Sequence, residues 1–459
     1  MQTTIYEQYT VPQLIRLFSI PAILSLLIEL LTSIVDTAFA GHLPNQADQA
    51  LAAMGLLTPL FTVFVAIQTL FAVSTAVLIS TNLAKRDWQR PLQLGVHATI
   101  LLGVITSLIT FLCMTPIFNQ LQLTGEVASL AKDYLLILLF SHVFSSIGYT
   151  LTSVIRAFGH PKVEMTIISL AVVINIMSNA YFTFGLNLGI KGIAFGTLLS
   201  EVVCALLAFI YLKRKKQWYR YTNYTWKERF HTTYALLKIG IAQTIIQALG
   251  GMTAWLVNKQ LQTFGTTQTI GAWNIANKVY IFCLMPIVGI TQAIQTILAY
   301  FHGQRHPQKK RLVIRTTLQW TTIYSVLMIG VFFLFGQNVL QLLTNDAQLL
   351  QEGQRILNII FITLPLTGFA YTVMTQLQVT EQELQAVGIG LTRQIFAMLP
   401  LIYLLPLFVH TFALPFSQTE AIFLAIPFAD FLTALVAYVF IRKQGLFSFS
   451  KQMIYNKEK

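Results

Sequence analysis

Charged residues are scarce in this chain of 459 residues, where they make up 10% of the sequence. An ordinary soluble domain contains about 25%. Hydrophobic residues make up 55%, and the mean hydropathy is +0.65. So few charges cannot cover the surface of a water-soluble fold of this size. A soluble enzyme is therefore excluded, and lipid must contact much of the surface.

Cysteine is also scarce. Cys113, Cys204 and Cys283 all lie in apolar runs, without a CxxC pair and without a histidine at metal-ligand spacing. This pattern excludes a disulfide framework and a cysteine metal site, and the three residues are interpreted as small hydrophobic side chains. The first apolar run begins near Leu14 and is too long for a signal peptide. We therefore expect it to be kept as the first helix.

Long apolar runs are abundant. A helix needs about 20 apolar residues to cross the hydrocarbon core of a bilayer. Twelve windows reach this length, and none of the stretches between them could form a soluble domain. The sequence therefore predicts an all-α integral membrane protein with twelve transmembrane helices. The windows are 14–40, 51–80, 92–117, 131–156, 163–184, 188–212, 234–262, 270–301, 313–342, 347–378, 384–409 and 417–441.

Lysine and arginine residues are concentrated in alternate loops. The loops after helices 2, 4, 6 and 8 and the C-terminus are basic, whereas the loops after odd-numbered helices carry only Lys132 and Lys191. This positive-inside pattern predicts a multi-pass protein of the cell membrane with both termini in the cytoplasm. It also accounts for most of the net charge of +13 without a nucleic-acid partner.

The chain repeats itself weakly. Helix 6 ends with EVVCALLAFIYLKR at Glu201–Arg214, and helix 12 ends with DFLTALVAYVFIRK at Asp430–Lys443, 229 residues later. We predict two six-helix halves in parallel orientation around a central cavity. The first half is 1–212, a basic cytoplasmic linker follows at 213–233, and the second half with a short basic tail is 234–459.

Ionisable residues inside apolar helices are the strongest functional signal, because each costs about 2.5–3.5 kcal/mol on membrane-insertion scales. Asp36 lies in the apolar run SIVDTAFAG, and Glu29 lies seven residues earlier, about 10 Å away on the same helix face. Such a carboxylate can exchange a proton, help to hold sodium or attract a cationic substrate. Alternatively, either acid lies near a helix end and is simply hydrated.

Further polar residues in the apolar runs have alternative interpretations. Glu201 and Asp430 occupy matched positions, which favours a structural role as capping or packing partners. Lys259, Lys278 and Arg393 either pair with acids, extend to the membrane surface or line a cavity. Amides such as those of helices 5 and 8 either join helices together or form part of a binding site.

Several motifs together resemble the multidrug and toxic compound extrusion (MATE) family, nearly end to end and in the same order. IVDTAFAGHL at 34–43 is similar to the first-helix signature, and RAFGHPK at 156–162 to the loop between helices 4 and 5. AWNIANKV at 272–279 and GITQAIQ at 289–295 resemble the helix-8 pattern. Arg393-Gln394 followed by Pro400-Leu401 is similar to helix 11.

The resemblance implies secondary-active efflux of amphipathic organic cations, driven by inward protons or sodium, with no other cofactor and with a monomeric chain. It places the coupling-cation site of the N-terminal half at Asp36, Asn175, Asn179 and Thr197. The family usually has an acid at the position of Asn179. One carboxylate fewer weakens a sodium site and favours proton coupling through Asp36, because hard cations prefer charged oxygen ligands.

The resemblance also indicates the bacterial branch of the family, since Gly250 stands near the place of the helix-7 acid of the other branch. Glu29 falls where the family commonly has a neutral amide, so we expect it to attract cations in this protein. The predicted substrate cavity contains Glu29, Asp36, Asn274, Lys278 and Gln292.

Three other functions fit the sequence less well. A flippase for lipid-linked oligosaccharides, from the same superfamily, would need several cavity cations to bind pyrophosphate, and only Lys259, Lys278 and Arg393 are available. An intramembrane enzyme would need a catalytic constellation, such as paired aspartates or HExxH, which the sequence lacks. A channel would need a pore-loop filter motif, which is also missing. The sequence therefore favours a transporter that is not an enzyme.

Overall fold

A computed structural model of the protein describes residues 5–44, 46–341, 344, 346–412 and 416–443. The predicted basic tail after Lys443 lies outside these residues. The described part is almost entirely helical. Its helices are α1 (Ile5–Gln8), α2 (Val11–Gly41), α3 (Ala47–Asn82), α4 (Gln89–Leu112), α5 (Met114–Gln120), α6 (Gly125–Ala157), α7 (Pro161–Ala180), α8 (Ile190–Arg214), α9 (Trp226–Phe264), α10 (Thr267–Gly303), α11 (Pro307–Gln341), α12 (Ala347–Phe361), α13 (Leu364–Val379), α14 (Glu383–Leu391), α15 (Leu399–Thr411) and α16 (Gln418–Lys443).

Two π-helical segments interrupt the α-helical pattern. Tyr181–Gly185 follows α7 directly, and Thr392–Met398 joins α14 to α15. Each therefore lies within one continuous membrane-spanning helix, Pro161–Gly185 and Glu383–Thr411 respectively. A π-helical turn places an extra residue in the helix and is frequent at functional sites.

The prediction of twelve spans is confirmed. Among the described residues, 11 helices are long and apolar enough to cross a membrane. A further span consists of α12 and α13, which meet at a bend of 44°. The bend divides the single helix predicted over 347–378, and Pro365 lies within the first turn of α13, where a proline is tolerated because it needs no backbone hydrogen bond.

Large apolar side chains cover the outer surface of these helices. Leu112 is 69% exposed, Phe140 is 68% exposed and Phe333 is 71% exposed. Apolar surface of this extent indicates contact with lipid in place of water. The helices are long because they must cross that layer, and several exceed 30 residues.

The chain forms two compact units. Unit 1 contains the residues up to Ala248 together with Gln292–His306, and unit 2 contains Leu249–Thr291 together with the residues from Pro307 onward. Two helices, α9 and α10, therefore begin in one unit and end in the other. The parts of α9 and α10 over 234–248 and 292–306, which the sequence assigns to the second half, pack with the first six spanning helices. The division into two repeated halves stays a prediction.

Each unit has its own apolar core. In unit 1, one cluster includes Leu57, Leu135 and Ile193, and another includes Ile79, Leu92 and Val154. In unit 2, the core is built around residues such as Ile287 and Leu357. Polar side chains such as Asp36 and Asn179 lie on helices that contribute to these clusters.

Candidate functional site

Asp36 lies one and a half turns before the end of α2, within the membrane-spanning part of that helix. It is partly buried. Its Oδ1 accepts a hydrogen bond from Asn179 Nδ2 at 2.6 Å. No basic side chain among the described residues lies within salt-bridge distance of the Asp36 carboxylate. A carboxylate in this setting must be stabilised by polar neighbours or by a bound cation.

The four residues predicted for the coupling-cation site lie next to one another in unit 1. Asn179 Nδ2 also donates to Asn175 Oδ1 at 3.2 Å, one turn earlier on α7. Asn175 Nδ2 in turn donates to Thr197 Oγ1 on α8 at 3.4 Å. The result is a chain of hydrogen bonds that joins α2, α7 and α8. Asn175 and Asn179 are fully buried, so this chain is shielded from bulk solvent.

Gly196 on α8 makes this arrangement possible. A methyl group added there would overlap Asn179 Oδ1 and would lie 2.8 Å from the Asn179 backbone nitrogen. The Asn179 amide therefore fills the space that the glycine leaves open. Its Oδ1 has no hydrogen-bond partner among the described residues, although it is buried. The π-helical segment Tyr181–Gly185 begins two residues later, and its own packing partner is α8.

An apolar cleft of about 440 Å³ lies beside the C-terminal end of α2. The residues that line it are Val35, Ala38, Phe39, His42 and Phe184. The rings of Phe39 and Phe184 lie 5.7 Å apart. Aromatic faces of this kind can contact the apolar body of an amphipathic compound, and they attract cations.

The residues predicted for the substrate cavity are divided between the units. Glu29, Asp36 and Gln292 belong to unit 1, whereas Asn274 and Lys278 belong to unit 2. Asn274 and Lys278 are exposed and one helical turn apart on α10, which gives that face a polar stripe. Glu29 is exposed on α2. That these residues form one cavity stays a prediction.

A second polar cluster in unit 1 was not predicted as such. Glu29 interacts electrostatically with Glu201 on α8 and with Glu164 and Arg156. Arg156, interpreted from the sequence as a topology signal, is in fact buried, and its Nη1 lies 2.8 Å from Glu164 Oε1. The sequence does show Glu201 in an apolar helix. It does not show that Glu29, which is 172 positions away, is its neighbour.

A chain of uncharged groups joins α6 to α3 and α4. Ser145 on α6 accepts from Gln68 Nε2 at 3.1 Å. The same amide lies 3.2 Å from His142 Nδ1, and His142 Nε2 lies 3.0 Å from Thr106 Oγ1. The sequence does not predict this chain, because its four members lie on three different helices and share no common spacing.

The acid on helix 12 has a different environment. Asp430 is buried, and its Oδ1 accepts from Arg393 Nε at 2.7 Å. Its Oδ2 accepts from Thr363 Oγ1 at 3.0 Å and from Thr367 Oγ1 at 3.2 Å. Arg393 belongs to the π-helical segment Thr392–Met398. Of the three interpretations offered for this arginine, pairing with an acid is therefore the one observed.

The described residues contain no group of three or more His, Cys, Asp or Glu side chains that could hold a metal ion. Cys113, Cys204 and Cys283 are free thiols. The groups that this hydrogen-bond chain joins to Asp36 are two neutral amides and a hydroxyl, whose oxygen atoms can accompany a monovalent cation but carry no further charge.

Comparison with known proteins places these features in a family. The MatE family model matches residues 21–181 and 241–404. The multidrug export protein MepA of Staphylococcus haemolyticus is 27% identical over 380 residues, which cover 82% of this chain and 83% of that protein. MepA of Staphylococcus aureus strain MRSA252 is 26% identical over 439 residues, which cover 95% of this chain and 94% of that protein.

Solved structures show the same fold. The Vibrio cholerae MATE transporter VcmN in its bent form has a TM-score of 0.84 and 21% identity, and the match covers 95% of this chain and 98% of that chain. A transporter of the MOP superfamily from Pyrococcus furiosus has a TM-score of 0.85 and 20% identity, with coverage of 95% and 97%. Together with the family match over both parts of the sequence, these likenesses show that the chain is a multi-pass membrane protein of the MatE family of multidrug and toxic compound extrusion transporters.

Proposed function

We propose that this protein is a secondary-active multidrug efflux antiporter. It exports amphipathic, mostly cationic compounds in exchange for protons, with sodium as the alternative coupling ion, and it works by alternating access between two six-helix halves. The family membership and the relatives named multidrug export protein support efflux of small organic compounds. The direction of coupling and the ion are our inference from the site at Asp36.

The observation that carries the proposal is the contact of 2.6 Å between Asp36 Oδ1 and Asn179 Nδ2. It joins a membrane-embedded carboxylate to a buried network of neutral groups. An amide N–H that faces the carboxylate occupies the direction from which an oxygen ligand of sodium would approach. A proton needs no such ligand set, since it binds to the carboxylate itself. The network therefore supports proton coupling.

Protonation of Asp36 would change the helix contacts directly. The ionised carboxylate accepts from the Asn179 amide, whereas a protonated carboxyl group also donates one hydrogen bond. The strong, charge-assisted bond to α7 would then weaken. Because α2 contains Pro21, which removes one backbone hydrogen bond, the helix has a place to bend. Proton uptake would thus release the outer part of α2 from α7 and help to expel substrate.

Substrate recognition would combine charge with apolar contact. Glu29 is exposed on α2 and shares its surroundings with the acidic Glu201 and Glu164. Among the described residues that interact with Glu29, one is an arginine, Arg156, against these three acids. The excess of negative charge favours a cationic compound over an anionic one. Aromatic side chains such as Phe39 and Phe184 would then contact its apolar part.

The protein would lie in the bacterial plasma membrane with both termini in the cytoplasm. The basic loops support this orientation. Lys213, Arg214, Lys215 and Lys216 at the end of α8 belong to the basic linker. Lys191 belongs to an opposite loop, where Asp133 Oδ2 lies 3.1 Å from its Nζ and partly neutralises it. We expect the transporter to work as a monomer.

The flippase alternative is weakened by the pairing of Arg393. A pyrophosphate group needs free cations to bind it, and this guanidinium is already held by Asp430. The pair is neutral overall, so it adds little attraction for a diphosphate. Lys259 and Lys278 are exposed on α9 and α10, but two lysines alone do not make a site for several negative charges.

The test is transport of a fluorescent lipophilic cation by inverted membrane vesicles. The vesicle lumen, which corresponds to the outside of the cell, is made acidic in one experiment and rich in sodium in another. We expect the pH gradient to drive dye accumulation and the sodium gradient to have no effect. Accumulation with sodium alone would make sodium the coupling ion, and no accumulation with either gradient would contradict the proposed function. Vesicles that lack the protein provide the background rate.

A further inference from the structure

The short helix α1 packs into the cytoplasmic end of unit 1. Tyr6 is completely buried although its helix contains only four residues. Its hydroxyl donates to the Ala157 carbonyl oxygen at 2.8 Å, at the end of α6. Burial raises the pKa of this phenol, so the hydroxyl keeps the proton that it donates. A short terminal helix would be expected to fray unless it is held by contacts of this kind.

The same helix also contacts the end of α10. The Tyr6 ring stacks on the Tyr300 ring with centroids 4.4 Å apart and an angle of 12°. The Tyr300 hydroxyl donates to Glu7 Oε1 at 2.8 Å, and Gln304 Nε2 donates to the Tyr300 hydroxyl at 3.3 Å. Two consecutive residues of α1 are therefore attached to one tyrosine of α10.

Gly159 allows α1 to approach the loop between α6 and α7. Its φ of +91° is accessible to glycine at little cost. A methyl group added at this position would overlap Ile5 Cγ2. The loop that carries Gly159 thus holds one side of α1, while Tyr300 holds the other.

Two more glycines bring α9 and α10 against α3. A methyl group at Gly240 would overlap the Leu70 carbonyl oxygen, and one at Gly303 would overlap the Thr81 carbonyl oxygen. Contacts as close as these are possible only without a Cβ atom. The final part of α10 is consequently packed closely on α3 and on α1.

These contacts would have to change during the transport cycle, an inference that rests on the proposed alternating access. The positive-inside pattern places the end of α10 and the start of α2 on the cytoplasmic side. Under the proposed alternating access, α10 belongs to the second half, so opening of the cytoplasmic side requires the end of α10 to separate from the first half. The contacts of α1 with Tyr300 oppose that separation, whereas its contacts with Ala157 and Gly159 do not.

We propose that α1 is a cytoplasmic latch that remains on the α6–α7 loop and releases Tyr300 each time the transporter opens inward. Tyr6 and Glu7 are the latch residues on α1, and Tyr300 is the residue that they hold. The latch stabilises the cytoplasmically closed state without touching the substrate or Asp36. It also explains why a polar segment ahead of the first spanning helix is packed instead of loose.

A cross-linking experiment tests the latch in the full-length protein, with Cys113, Cys204 and Cys283 replaced by alanine. Glu7→Cys and Gln304→Cys are introduced together and bridged with a short, reducible bis-thiol reagent. We expect the bridge to stop turnover and reduction to restore it, because α10 can no longer leave α1. Bridging Ile5→Cys to His160→Cys is the matched control, and it should leave turnover intact because α1 stays on that loop. Full turnover with the first bridge would overturn the proposal.

The solvent accessibility of α10 tests the latch in a second way that does not depend on transport. Thr296 is 1% exposed and lies one helical turn before Tyr300 on α10. A cysteine at this position reports opening through its rate of reaction with a membrane-impermeant thiol reagent in inverted vesicles. Tyr300→Phe removes one hydrogen bond to α1, so we expect the labelling rate to rise about fivefold, as loss of about 1 kcal/mol implies.

Tyr324→Phe is the matched control for labelling. It also removes one tyrosine hydroxyl donor, which bonds to the Cys283 carbonyl oxygen at 2.8 Å in unit 2. It should leave the labelling rate unchanged. Equal rates in Tyr300→Phe and in the parent would contradict the latch. If no compound is transported at all, the proposed function fails, but the labelling comparison still decides the latch.

Discussion

The substitution Asn179→Asp restores the acid that related transporters usually have beside the first-helix carboxylate. It replaces a donor that lies 2.6 Å from Asp36 Oδ1 with an acceptor. Two full negative charges separated by 2.6 Å repel by about 6 kcal/mol at an effective dielectric constant near 20. A cost of this size cannot remain uncompensated in a protein of marginal stability. One carboxylate must keep a proton, or a cation must bind between the two.

We therefore expect Asn179→Asp to create a sodium site that the parent lacks. Sodium that binds only the folded protein stabilises it by about 2.7 kcal/mol when its concentration is 100 times the dissociation constant. The assay is thermal unfolding of the purified protein in sodium chloride and in choline chloride of equal ionic strength. The variant should show a higher Tm in sodium, while the parent should show the same Tm in both salts.

The control is Asn258→Asp, which makes the same chemical change in unit 2. Asn258 Oδ1 accepts from Trp273 Nε1 at 3.1 Å, and a carboxylate oxygen can accept that bond equally well. This variant should show no response to sodium. An equal sodium response in the parent and in Asn179→Asp would refute our reasoning that the neutral amide excludes sodium. A lack of response in Asn179→Asp would refute the claim that this pocket can be converted into a sodium site.

Three further predictions concern the polar clusters. Arg393→Gln should lower the free energy of unfolding, measured by chemical denaturation, by about 3–5 kcal/mol, because it leaves Asp430 buried without its cationic partner. Adding Asp430→Asn should recover most of that loss. Gly196→Ala should abolish gradient-driven transport in vesicles while the protein still folds, because the added methyl group displaces Asn179 from the coupling network. Glu29→Gln should raise the KM of a monocationic dye by up to about tenfold, equal to about 1.4 kcal/mol, without changing which gradient drives transport.

Much of the architecture could be predicted because lipid imposes a simple rule on sequence. Each span needs a long apolar run, so the positions of the helices follow from hydropathy. Asp36 is conspicuous for the same reason, since an acid in such a run has a cost. Its partners Asn175 and Thr197 were identified only through the family resemblance, because amides and hydroxyls are common in membrane helices.

Contacts between distant residues could not be predicted. Arg393 and Asp430 were each noticed as charges in apolar helices, but 37 positions separate them, and only the fold places their side chains 2.7 Å apart. The latch was missed because Ile5–Gln8 is too short to produce a helical periodicity. Its ring stack with Tyr300 joins residues 294 positions apart, and no local pattern contains that information.

The central claim is that Asp36 binds the coupling proton, and the most direct test is proton movement driven by substrate. Purified protein is placed in proteoliposomes with a pH-sensitive dye inside, and a gradient of a lipophilic cation is applied without a pH gradient. The parent protein should move protons against the cation flux, and Asp36→Asn should bind the cation with similar affinity but move no protons. Proton movement by Asp36→Asn at the parental rate would contradict the account.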